Sequence, residues 1–477
     1  MPFILPANTL SAGGYDVANS LRFNVGSSDY LNRTLGAPTS DKIFTISAWV
    51  KRSTLGGEGY VFTIGSNGGS SPSHWYSIRY ANEKIYVQRS GTGQLITNAV
   101  YRDTSAWYHI VLTNDTTQGT ASNRLKLYVN GEQPSLGTAT YPSENATLAG
   151  IDGARCAISL TYSGTGNYFG GYMSEVCFID GQALAADSFG EFDEDSGIWK
   201  PISVSGLTFG NNGFYLETKQ SGTSQNSSGL GADTSGNDNH FAVNNLTAVD
   251  QSTDTCTNNH ATFNFLDNYA PAATFAEGNL QITTGGANIY SFNNSTIAVS
   301  SGKWYAEVKV ITTAGNNFNM IGISALSPVY YRSSPWGELG GNAYAYAYVG
   351  YNGEYYTSGS YTSYGATYST SIIGIYLDLD NNKLYFSKDG ALQNSGTGIS
   401  ITAPASTPTG HYFFSAGNYI DNNAVYSANF GSAAFAITSA NADDNGYGSF
   451  EYSPNITGDG TAKKFYALNT KNLAEFG

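Results

Sequence analysis

Apolar and polar residues alternate with period two along much of this chain. In FTISAWVKRS (44–53), Phe44, Ile46, Ala48 and Val50 fall on one side, and Thr45, Ser47, Trp49 and Lys51 on the other. That pattern predicts a half-buried strand, because successive strand side chains point to opposite faces. RLKLYVNGE repeats it with Leu125, Leu127 and Val129 inward, and Asn130-Gly131 offers two left-handed positions for a tight hairpin turn. NSLRFN (19–24), WYHIVLTND (107–115) and YMSEVCFIDGQAL (172–184) read as further strands. QALAADSFGEF (182–192) is the one segment of this half that reads as a short helix.

A second group of strands follows. SGKWYAEVKV (301–310) puts Trp304, Ala306, Val308 and Val310 on one face. IIGIYLDLD (372–380) puts Ile373, Ile375, Leu377 and Leu379 on one face and Asp378 and Asp380 on the other. Asn381-Asn382 can then turn the chain into KLYFSKDG. No heptads, short repeats or long helical patterns are present, so no coiled-coil or collagen stalk is encoded. The expected fold is all-β, two antiparallel sandwiches. The expected layout is an N-terminal arm (1–20), a sandwich (21–217), a polar Gly/Ser/Asn-rich connector (218–262), a second sandwich (263–452) and a C-terminal segment (453–477). The connector reading rests on TKQSGTSQNSSGLGADTSGNDNH, which has too few large apolar groups to offset its ordering entropy alone. It reads either as a linker or as a long loop laid over a neighbour.

Composition sharpens this picture. Charged residues are 12% of the 477, against roughly 25% in ordinary soluble domains. Gly (56) and Tyr (36) are abundant, so the surface is polar but weakly charged. The net charge of −14 repels phosphate backbones and anionic lipid, which argues against nucleic-acid and membrane partners. Cys156, Cys177 and Cys256 make no disulfide framework and read as buried free thiols, consistent with folding in a reducing cytosol. The opening MPFILPANTL lacks a basic region and is not read as a signal peptide. No stretch approaches the ~20 apolar residues of a membrane helix.

Three resemblances add to the reading. FTISAWVKRS, WYHIVLTND, LYVNGE and FGGYMSEVCFIDGQALAADSF resemble, in order, the laminin-G and pentraxin-like branch of the concanavalin A-like lectin/glucanase superfamily. SGKWYAEVKV, NMIGIS (319–324), IIGIYLDLDNNKLYFSKDG and NFG (429–431) resemble a SPRY domain, with Thr370-Ser371 where that family usually has Gly-Asp. Both imply concanavalin A-like jelly rolls. The opening MPFILPANTLSAGGYDVANSLRFN, the block 233–259 and the ending FYALNTKNLAEFG are similar to blocks of bacteriophage virion proteins. That resemblance implies a tail-fibre or other virion-surface protein that folds in the host cytoplasm. Its expected partners are other virion proteins, docked through the arm or the C-terminal segment, and host-surface glycans. A homo-oligomer is expected, a trimer being the guess for a fibre.

The candidate chemistry follows from these readings. Glucanases of the superfamily carry paired acids on a strand face, at the carboxylate spacing glycoside hydrolysis needs. EFDEDSG (191–197) is the nearest match, with Glu191, Asp193, Glu194 and Asp195, but Ser196 stands where the last Glu belongs. It reads as a solvated acidic turn, and Asp378 and Asp380 as the ordinary exposed face of a SPRY strand. The expectation is therefore a non-enzyme, with a polysaccharide depolymerase as the rival. His109 reads as structural. ADTSGNDNH offers Asp233, Asn237 and Asp238 as oxygen ligands for Ca²⁺, with an Asx-rich turn as the alternative. The leading binding candidate is a Tyr-rich run. Its expected platform comprises Trp336, Tyr344, Tyr346, Tyr348, Tyr351, Tyr355 and Tyr356, with Ala inside and Tyr outside. The alternative places these rings between the sheets. The rival without a ligand is a capsid decoration protein.

Overall fold

The computed structural model describes residues 14–65, 75–90, 94–148, 151–268, 273–285, 290–313, 315–328, 337–418, 423–457 and 463–477. The described chain divides into two compact units, with the boundary between Thr257 and Asn258. Each is a sandwich of antiparallel sheets.

In the N-terminal unit, strands Ser20–Phe23, Ile43–Arg52, Trp107–Asp115, Leu125–Val129 and Gly171–Asp180 form one sheet, joined by Phe214–Leu216 and Gln251–Ser252. Strands Tyr30–Thr34, Gly59–Gly65, Trp75–Ala81, Lys84–Arg89, Gln94–Thr97, Leu136–Thr140, Arg155–Ile158 and Ala242–Asn244 form the other. The inward face of 44–53 is as expected, but the strand is buried on both faces rather than half-buried. Phe44, Ile46, Ala48 and Val50 join one core with Phe62, Ile78 and Val87 of the facing sheet. Phe44 meets Tyr76 across that core at 5.3 Å, edge to face. Trp49 points the other way and is also covered, by Ala186, Phe189, Trp199 and Phe209. Asn130 and Gly131 have φ of +49° and +83°, as the hairpin turn requires.

Two expectations are corrected in this unit. Residues 182–192 form no α-helix. They make a single 3₁₀ turn, Ala186–Ser188, and enter a hairpin, Gly190–Phe192 with Trp199–Pro201. The run is too short to repay helix nucleation. Thr45 and Thr113 instead hold the backbone of Leu184, at 2.8 Å from the Thr45 hydroxyl. The connector expected over 218–262 is not a linker either: 218–257 belongs to this unit and 258–262 to the next. Strand Ala242–Asn244 pairs with Tyr30–Thr34, Gln251–Ser252 pairs with Ser20–Leu21, and Leu230, Phe241 and Leu246 join the core. Its few apolar residues suffice because the sheets already offer them a covered surface. The long loop laid over a neighbour is the reading that holds.

In the second unit, strands Lys303–Thr312, Ile372–Asp378, Lys383–Lys388 and Val425–Asn429 lead one sheet. Strands Ser291–Val299, Asn319–Ser324, Ala345–Val349, Glu354–Thr357, Ser360–Ser363 and Tyr412–Asn418 make the other. Trp304, Ala306, Val308, Val310, Ile373, Ile375, Leu377 and Leu379 all face the core, as their alternation predicts. The C-terminal segment is part of this unit. Tyr466–Ala467 adds to Lys303–Thr312 in parallel, and Asn469 caps a short helix, Thr470–Phe476, with its side chain accepting from the Asn472 amide at 3.0 Å. Leu468 and Leu473 lie in the core, so residues 463–477 are not a separate docking tail. Most of the arm, residues 1–13, lies outside the described residues. Among the described residues no helix is long and apolar enough to cross a membrane.

Candidate functional site

The expected aromatic platform has the right alternation and the opposite direction. On strand Ala345–Val349, Tyr346 and Tyr348 turn into the core, and Ala345 and Ala347 turn outward onto a smaller cluster with Phe292, Met320 and Leu339. A strand covered on both faces leaves the wide gap between the sheets to its largest side chains. Tyr rings fill that gap when their hydroxyls find acceptors. Tyr348 is fully buried and donates to the Ala366 carbonyl. Tyr356 is buried and donates to Glu338 at 2.7 Å. Tyr344 and Tyr355 pack part-buried against the core. Tyr351 alone of the described candidates is open, 55% exposed and stacked on Phe318 at 4.6 Å. Trp336 lies outside the described residues.

The calcium ligands are not brought together. Asp233 is buried, and its carboxylate accepts from the amides of Tyr215, Ser235 and Asn239, each at 2.9 Å, and from the Ser235 hydroxyl. Asn237 donates its side-chain amide to the Gly210 and Gly213 carbonyls. Asp238 is 91% exposed and 3.7 Å from His240. A cation needs several free oxygens, and here N–H groups already occupy them. No group of three or more acids, histidines or cysteines among the described residues is arranged to hold a metal. Adding calcium or a chelator is accordingly expected to move the melting temperature by less than about 1 °C. A calcium-dependent rise of several degrees would contradict this geometry.

The acidic pairs are likewise engaged. Asp193 accepts from the Ser196 amide and hydroxyl and pairs with Lys200 at 3.1 Å, while Glu191 lies 3.4 Å from the same ammonium. They close a hairpin turn. Asp378 is not on an exposed face, as the sequence reading had it, but fully buried. It accepts from the Asn381 amide at 3.1 Å, which builds the turn after the strand. His109 is structural, as expected. It takes a hydrogen bond from Trp199 Nε1 at 3.0 Å, and burial pushes its pKa down to about 3.

What the fold assembles instead is an open cleft of about 590 Å³ in the second unit. Its walls are the turn Ser301–Lys303, Asp380, the pair Lys463–Lys464, Tyr466, and Glu475 and Phe476 at the end of the short helix. Gly302 makes the approach possible. Its φ is +77°, and a Cβ there would stand 2.4 Å from the Phe476 carbonyl. Antiparallel pairing of Lys303 with Asp378 brings Lys303 to both aspartates, bonded to Asp380 and 3.7 Å from Asp378. Burial works against the Lys303 ammonium, but these two carboxylates win and hold its pKa above the ordinary lysine value. Across the cleft, Lys463 donates to the Tyr385 hydroxyl at 3.2 Å, and Lys464 pairs with Asp444. Tyr466 stacks on Phe476, centroids 3.8 Å apart and planes 9° from parallel. The arrangement thus sets fixed charged donors and acceptors beside a rigid aromatic pair. Such walls can hydrogen-bond neighbouring hydroxyls and cover an apolar C–H face. The sequence reading missed this site. Its three parts, 301–303, Asp380 and 463–477, are more than 70 positions apart, and the one local hint is KKFY (463–466), two lysines beside two aromatics.

A family comparison agrees with the fold of the N-terminal unit. Residues 25–187 match the laminin-G model described as the concanavalin A-like lectin/glucanases superfamily. This part of the chain carries a concanavalin A-like fold. Similar solved structures include the SPRY domain of human HERC1, at 14% identity and TM-score 0.27, covering 35% of this chain and 96% of that one. A putative carbohydrate binding protein from Bacteroides ovatus is similar at 15% identity and TM-score 0.32, covering 48% and 58%. The heptameric SAP-like pentraxin of Limulus polyphemus is similar at 14% identity and TM-score 0.26, covering 36% and 80%. No curated protein matches the chain.

Proposed function

We propose that this chain is a non-catalytic, glycan-binding protein of a bacteriophage surface, and that the second unit's cleft takes the sugar. The observation that carries this reading is the cleft itself, where Lys303, Asp380 and Lys463 stand beside the stacked pair Tyr466 and Phe476. A sugar presents neighbouring hydroxyls to polar groups and a C–H face to an aromatic ring, and needs no reactive residue to be held. The concanavalin A-like fold of residues 25–187 supports the class. The engagement of Glu191 and Asp193 by Lys200 supports binding without turnover. The similarity of the opening and closing blocks to virion proteins supports a place on the particle, as a tail-fibre or receptor-binding adhesin in a homo-oligomer, with a trimer expected.

The test is binding of the full chain to an array of bacterial surface glycans, followed by titration of the best ligand. Asp380→Asn and Tyr466→Ala are each expected to weaken binding at least about tenfold, the worth of one good polar contact or stacked ring. Asp380→Asn should melt close to the parent, while Tyr466→Ala loses its packing on Phe476, so its binding is titrated below its own melting transition. An absence of glycan binding would end the adhesin reading and favour a capsid decoration role. Release of reducing ends from host polysaccharide would favour the depolymerase.

A further inference from the structure

The N-terminal unit holds a buried acid for which the proposed function has no use. Strand Gly171–Asp180 slips register against Ile43–Arg52 between Ser174 and Cys177. The bulge places Glu175 at φ +52°, a left-handed conformation that non-glycine residues seldom adopt, with 6% of its surface exposed. Three oxygens then meet. Tyr15 donates to Glu175 Oε2 at 3.0 Å, Tyr215 bonds the same oxygen, and the two hydroxyls lie 2.7 Å apart. Three close oxygen contacts need three protons, and an ionised carboxylate leaves only the two on the tyrosines. One contact is then between lone pairs. A protonated carboxyl supplies the missing proton and closes the ring of bonds.

We propose that Glu175, Tyr15 and Tyr215 form a proton-operated latch on the segment 14–17, tight when the carboxyl is protonated and loosened when it ionises. The segment matters because it also touches the end of this unit. The Val17 amide donates to Thr257 Oγ1 at 3.0 Å, and that hydroxyl donates to Asp16 at 2.9 Å. Thr257 is the last residue before the chain enters the second unit.

Two charges act on Glu175 from just beyond strand Phe214–Leu216: Glu217 raises its pKa and Lys219 lowers it by less. Lys219 is bonded to Glu217 at 2.6 Å. Cys177, on the same strand, and Cys256 are thiols that burial keeps protonated. Burial, partly offset by the two tyrosine hydroxyls, pushes the Glu175 carboxyl up to about 7. A raised acid pKa means that the closed latch binds the proton more tightly than the open one. Its stability is therefore complete below the ordinary glutamate value and is lost as pH rises toward 7.

Hydrogen–deuterium exchange of the full chain tests this, with rates corrected for intrinsic pH dependence. Protection of the 15–17 amides is expected to fall about twentyfold from pH 5.5 to 7.5, if release returns the carboxyl to its ordinary value. Glu175→Gln, which keeps a donor there at every pH, should make protection flat. Tyr15→Phe removes the segment's own bond to the carboxyl, so its protection at pH 5.5 should fall at least about fivefold below the parent's. A parent protein with pH-independent protection, a Glu175→Gln variant that keeps the slope, or a Tyr15→Phe variant as protected as the parent at pH 5.5 would overturn the latch.

Discussion

Asp254→Ala is expected to destabilise the N-terminal sandwich by about 3–5 kcal/mol, the cost of leaving one member of a buried ion pair alone. Lys51 points away from the first core on strand Ile43–Arg52, and its side chain is 1% exposed. Its ammonium meets Asp254, 2% exposed, at 2.7 Å. Trp107 Nε1 donates to the other carboxylate oxygen at 3.2 Å. Removing the carboxylate strands the Lys51 charge in the interior and takes the acceptor from the part-buried Trp107 indole. Urea unfolding followed by tryptophan fluorescence should show the first unit's midpoint falling with its slope unchanged. The double change Lys51→Met with Asp254→Leu removes both charges and should recover most of the loss. A single variant within about 1 kcal/mol of the parent would mean that water already reaches this pair.

Glu307→Ala should cost the second unit about 4 kcal/mol or more, since four donors lose one acceptor group. Glu307 is fully buried on strand Lys303–Thr312. Its carboxylate accepts from Tyr305 Oη at 3.1 Å, from Asn429 Nδ2 at 3.0 Å, and from the amides of Glu451 at 3.0 Å and Tyr452 at 2.7 Å. Burial raises its pKa, and the four donors oppose that rise. The residue ties Glu451 and Tyr452 to the sheet. Calorimetry should show the second unit melting earlier. A drop of less than about 1 kcal/mol would indicate that water refills the site and satisfies the donors.

The strands were legible because period-two alternation is a local property. Phe44 to Val50, Leu125 to Val129, Trp304 to Val310 and Ile373 to Leu379 all face the cores that their spacing assigns. The hairpin at Asn130-Gly131 was legible because few dipeptides accept two left-handed positions. The failures have a different physics. Tyr346 and Tyr348 share a face, as read, but which face is dry depends on what lies over Ala345 and Ala347. The polar stretch 218–257 folds because Tyr30–Thr34 and Ser20–Phe23 leave strand edges for it to join. Asp233 looked like a calcium ligand until three backbone amides and a hydroxyl took its oxygens.

Sequence by itself thus determined the all-β class, most strand faces and the tight turns, since these depend on neighbours a few residues away. Tertiary structure alone decided which faces are covered, that Lys303 meets Asp380 beside Tyr466 and Phe476, and that Tyr15 and Tyr215 converge on Glu175. The reason is that burial and electrostatic environment are set by residues tens to hundreds of positions away, which no local pattern can encode.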